Sequence, residues 1–96
     1  MTLNQFQKKC VAAEPKYLTR GDEALIGLIG LNGASGKCID IYKKSLYDGQ
    51  ELDREGLTEQ LGCIAVYMAM VANSMDCKLE DVFAKALSTD TGDEKT

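Results

Sequence analysis

The chain has 96 residues, and its 45% hydrophobic side chains are enough for one small globular domain and too many for a disordered one. Its 15 acids and 11 bases leave a net charge of −4, which argues against a general nucleic-acid binder that needs a basic surface. There is no histidine, and none of the four cysteines forms a CxxC pair, so Ser-His or Cys-His nucleophiles, His-ligated metal and zinc-ribbon or thioredoxin-like sites are excluded.

Taken in chain order, the elements are all helical. Thr2 opens a T-x-x-Q capping box with Gln5, and Leu3, Phe6, Cys10 and Ala13 recur at helical spacing, which predicts a helix over residues 3–14 ending at Pro15. Residues 15–21 read as a linker. Asp22 is the expected cap of a second helix over 24–47, where Gly27, Gly30, Gly33 and Gly36 recur at every third position. Each helical glycine costs about 1 kcal/mol against alanine, so four together imply either close helix–helix approach or backbone opened to a ligand. Residues 48–50 form a turn, and Asp53 caps a third helix. Its stripe of Leu57, Leu61, Ile64, Met68, Val71 and Met75 is expected to be mostly core. Residues 76–78 turn the chain into a short fourth helix over 79–87, and residues 88–96 read as a disordered polar tail. One domain over residues 1–87 is therefore expected. The N-terminal segment is polar and amphipathic, and the longest uncharged run, residues 60–75, falls short of a span of roughly 20 apolar residues. A cytoplasmic, reduced chain with free thiols and no membrane contact is the expectation. Two long and two short helices close only a thin core, so a homodimer completing a four-helix bundle, or a homotetramer, is expected.

Residues 27–87 (GLIGLNGASGKCIDIYKKSLYDGQELDREGLTEQLGCIAVYMAMVANSMDCKLEDVFAKAL) resemble the MazG-like, all-α nucleotide pyrophosphohydrolases. The framework that carries the resemblance is Gly33, Gly36, Asp40, Lys43, Lys44, the Asp-Arg-Glu at 53–55, Leu61, Gly62, Tyr67 and the LEDV at 79–82, with LNQFQ at 3–7 similar to the family's first helix. The resemblance implies a MazG-like helical domain in which two long helices present carboxylates to Mg²⁺. The four implied ligand positions hold Ala34, Lys37, Gln60 and Cys63, and an asparagine of the family is replaced by Ala86. Mg²⁺ requires hard oxygen ligands in octahedral geometry; alanine and cysteine supply none, glutamine only a neutral carbonyl, and lysine is a cation.

The expectation is a catalytically inactive nucleotide-binding protein that sequesters a phosphate-bearing nucleotide or nucleotide-derived signal without metal, as a phage-encoded sponge would. Lys37 would contact phosphate, and Gln60, Cys63 and Tyr67 share one face of the third helix. Asp40 and Lys44 share a face with Lys37, and Asn32 and Ser35 would add hydrogen bonds. Each residue also has a purely architectural reading: Lys37 as a solvated cation, Tyr67 as a core tyrosine, Gln60 as a seam residue, Cys63 as a small apolar filler, Lys44 as a partner of the helix dipole. Two other functions stay open. One is an Mg²⁺-dependent pyrophosphohydrolase using displaced acids such as Asp40, Glu59 or Asp22. The other is an adaptor dimer with a relic site.

Overall fold

The computed structural model describes residues 1–90, with side chains up to Ser88. The described chain is all-α: α1 (Leu3–Ala12), α2 (Arg20–Asp48), α3 (Arg54–Ser74) and α4 (Leu79–Asp90). The capping box of α1 forms as expected, Gln5 N–H donating to Thr2 Oγ1 at 3.0 Å and Thr2 N–H to Gln5 Oε1 at 2.7 Å. This helix closes at Ala12, two residues early, because Glu14 precedes a proline and is pushed out of the α region. The cap of α2 is Thr19 and not Asp22: Thr19 Oγ1 accepts from Asp22 N–H at 3.0 Å, and the helix starts inside the expected linker. Asp22 and Glu23 then sit in the first turn, where the helix dipole favours anions. Asp53 caps α3 by accepting from Gly56 N–H at 3.0 Å. Residues 88–90, expected to be disordered, continue α4, since neither glycine nor proline stops it there; the rest of the expected disordered tail, residues 91–96, lies outside the described residues.

The helix α3 is the hub and packs against α1, α2 and α4. Gly49, in the left-handed region at φ 71°, ends α2 and lets the chain double back, so α2 and α3 run as a long helical hairpin. Two of the four periodic glycines serve close approach. A Cβ at Gly27 would stand 2.7 Å from Val71 Cγ2, and one at Gly30 would strike the Tyr67 ring. Gly33 and Gly36 have nothing near an added Cβ, so the small-residue seam covers half of the repeat.

Gln7 fastens the remaining helices. It is buried on α1; its Nε2 donates to the Cys77 carbonyl and its Oε1 accepts from Leu79 N–H, both at 2.9 Å. One side chain thus satisfies an exiting carbonyl and an orphan donor at the start of α4. Asn4 Nδ2 adds a bond to Glu80 Oε1 at 2.9 Å.

The buried apolar set among the described residues is small: Ala34, Ala69, Met70, Ala72 and Leu79. The stripe expected to fill the core does so only in part. Leu61 and Met75 are exposed, and Leu57, Ile64, Met68 and Val71 are half-buried. The buried residues of α3, Ala69, Met70 and Ala72, all lie in its C-terminal half. The face of α2 turned away from α3 is apolar and bare: Leu25, Leu28, Ile29, Ile39, Tyr42 and Leu46 are all exposed. Among the described residues, α2, and not the run at 60–75, is the helix long and apolar enough to cross a bilayer, with a mean hydropathy of 1.2 over its most apolar 18 residues.

Candidate functional site

A cleft of about 160 Å³ opens between the two long helices. Gly30, Gly33, Ala34 and Lys37 line it from α2, and Gln60, Cys63 and Tyr67 line it from α3. The hairpin therefore brings the four implied ligand positions together with Tyr67 in one place. Gly30 admits the Tyr67 ring against the α2 backbone, and Gly33 leaves the wall open. Lys37 is the one charged side chain lining the cleft; it is exposed, with no carboxylate of the described residues within ion-pair distance. Gln60, Cys63 and Tyr67 are half-buried. The polar equipment is thus an ammonium, a neutral amide, a thiol and a phenol hydroxyl. This set can donate to an anion and repels none.

On the other side of Cys63 and Tyr67 lies an apolar groove of about 560 Å³, lined also by Phe6 of α1 and by Glu59, Gly62 and Val66 of α3. The same two side chains wall both spaces, so they form one composite site with a cationic end and an apolar end. The sequence does not single out Phe6, Gly30, Gly33, Gly62 or Val66 as site residues. Phe6 belongs to a helix whose position against α3 depends on the Gln7 bonds, a long-range arrangement with no local signature. Gly30 carried a signal, its place in the glycine repeat.

The other expected site residues are not in the cleft. Asp40 and Lys44 line a separate groove along α2 with Lys43, Tyr47 and Asp48. Asn32 and Ser35 are exposed, and at 100° per residue from buried Ala34 they lie on the outward side of α2. Among the displaced acids, Glu59 borders the apolar groove, Asp40 lies in the separate groove, and Asp22 sits in the first turn of α2. No group of three or more Cys, Asp or Glu that could hold a metal ion occurs among the described residues. All four cysteines are free.

A second polar cluster ties the linker to the hairpin. Glu23 is buried and accepts from Asn73 Nδ2 at 2.9 Å; Arg20 donates to the Asn73 carbonyl at 2.7 Å and pairs with Asp76 at 2.7 Å. The Glu14 carboxyl lies against that of Glu23, with its Oε2 buried and without a donor. Burial first, and then hydrogen bonding and repulsion from Glu23, push the Glu14 carboxyl up to about 7. Burial and the nearby Glu14 also raise the Cys10 thiol above its ordinary value, which keeps it protonated and a poor nucleophile. Compared with protein families, curated proteins and solved structures, the chain matches none.

Proposed function

We infer that this chain is a nucleotide-binding protein that holds a phosphate-bearing nucleotide, or a signal derived from one, without hydrolysing it, on a MazG-like helical scaffold that works as a homo-oligomer. The observation that carries the reading is the composite site. The four residues that stand at the implied metal-ligand positions converge on one cleft, and the only charge they bring is the cation of Lys37. A cluster of carboxylates would repel phosphate unless a metal neutralised it; a lone lysine beside neutral donors attracts it directly. The small cleft suits a phosphate, and the adjoining groove, with Phe6 and Tyr67 as aromatic walls, suits a base. Taken together they reach the roughly 300–1,000 Å³ typical of small-molecule sites. The acids that a hydrolytic reading would enlist do not gather: Glu59 borders the apolar end of the site, Asp40 lies in a separate groove and Asp22 at a helix end, which favours holding over cleavage.

A panel of nucleotides added to the chain in EDTA tests this. The expected result is a rise in melting temperature with at least one nucleotide, lost in Lys37→Glu, with no pyrophosphate released. A rise that requires Mg²⁺, or pyrophosphate release that scales with protein concentration, would overturn it. Mass spectrometry of the small molecule that copurifies names the ligand.

A further inference from the structure

We propose that the outward face of α2 is the seam of a homodimer, in which α2 of one copy packs antiparallel against α2 of a second.

The seam is heptad-spaced. Leu25, Asn32, Ile39 and Leu46 recur at every seventh position, with Leu28, Ser35 and Tyr42 three residues after the first three of them and Ile29 alongside. At 100° per residue Leu25, Leu28, Ile29, Asn32, Ile39 and Leu46 lie about 100–180° around the helix from buried Gly27 and Ala34, the face that α3 covers, and Ser35 and Tyr42 form the edge nearer to it, about 60–100° away. The six large apolar side chains are each between 53% and 63% exposed. A helix that is apolar on two opposite faces is stable in water only when both are covered. The seam runs about 32 Å along α2 and bares on the order of 600 Å² per copy, close to the roughly 800 Å² per partner of a stable interface.

A second copy is the occupant for three reasons. The chain alone is short of core: Met70 and Leu79 are the only large apolar side chains buried among the described residues. Its radius of gyration, 15.7 Å, exceeds the roughly 12.5 Å of a compact chain of this length. Finally, the seam complements itself. In an antiparallel register centred between Gly33 and Ala34, Leu25 meets Tyr42 of the second copy and Leu28 meets Ile39. Asn32 meets Ser35, so the polar layer pairs with itself. The same register sets Asp22 near Lys43 of the second copy, opposite charges at the flank. A polar residue at one core layer is a known means of fixing register at some expense of stability.

Sedimentation equilibrium of the full chain tests the proposal. The expected species has twice the 10.5 kDa mass of the chain and dissociates on dilution. Leu28→Glu and Ile39→Glu should be monomeric, and Leu87→Glu, at an exposed apolar site on α4, should remain dimeric. Asn32→Leu, which adds apolar area to the seam and touches nothing inside the monomer, should tighten the dimer about tenfold or more, and it decides the matter if the charged variants fail to fold. A wild-type chain monomeric at every concentration, a dimer lost in Leu87→Glu, a folded Leu28→Glu dimer, or an unchanged dissociation constant in Asn32→Leu each overturns the proposal. So does flotation of the chain with phosphatidylcholine–phosphatidylglycerol vesicles, which would make a bilayer the cover of this face.

Discussion

Glu14 is the residue whose chemistry departs most from its free form. It faces Glu23 from the linker, with Asn73 and Arg20 closing the cluster from α3 and α2, and none of them donates to its buried Oε2. A proton held between the two carboxyls relieves the repulsion. In the folded chain Glu14 keeps that proton up to about 7, whereas the unfolded chain releases it near the ordinary 4.5. Between those values the folded state binds more protons, so stability falls as pH rises through the window and levels off above it. Glu14→Gln should flatten the decline and melt higher than wild type at pH 8, read as melting temperature against pH from 4 to 8. A variant that keeps the wild-type slope would show that the proton is held elsewhere. Little of this pair was legible in the chain. The two acids stand nine positions apart across a proline, and only the fold makes them neighbours. Gln60, Cys63 and Tyr67 are legible as one group from the periodicity of α3, whereas the MazG-like resemblance, and not periodicity, brings Lys37 to them; periodicity alone puts Lys37 with Asp40 and Lys44, which line a separate groove. Asn32 and Ser35 were placed on the site by nearness in sequence, and the same periodicity turns them away.

At the scale of elements, helix starts marked by a local cap read well: Thr2 and Asp53 do what their spacing predicts. The start of α2 lies earlier than the sequence suggests because Thr19 and Asp22 are both good caps, and the competition is settled by which side chain faces the first free N–H groups. What no cap predicts is how α1 attaches. Its anchor is Gln7, a polar side chain at a buried position. Gln7→Ala removes both bonds and leaves Leu79 N–H buried without a partner, at a cost of about 2–3 kcal/mol. The check is a fall in the urea midpoint with an unchanged denaturant slope. A loss under about 0.5 kcal/mol, the scale of an ordinary surface change, would mean that water replaces both bonds. Because α1 also carries Phe6 to the apolar groove, the same variant should weaken binding of any ligand that uses that end of the site.

For the whole molecule, the thin core and the bare outer face of α2 are two sides of one balance. A chain that buries only two large apolar side chains among its described residues has a small reserve of folding free energy, and burying the seam against a second copy would enlarge it. Stability then depends on concentration, since association that favours the folded state shifts unfolding by mass action. The melting temperature should rise by several degrees when the chain is concentrated a hundredfold, a shift worth up to roughly 2.7 kcal/mol for a dimer that forms tightly across that range. Leu28→Glu should melt lower and at one temperature throughout the series. Differential scanning calorimetry over the two concentrations reads both. A wild-type temperature that ignores concentration would place the stability inside the single chain, in the close α2–α3 contact at Gly27 and Gly30 and the Gln7 anchor, with the seam contributing nothing. The cleft opens at the boundary of α2 and α3, about a third of a turn or more around α2 from the middle of the seam. Ligand binding and association therefore use different faces of one helix, and a nucleotide that raises the melting temperature of wild type should raise that of Leu28→Glu by a similar amount.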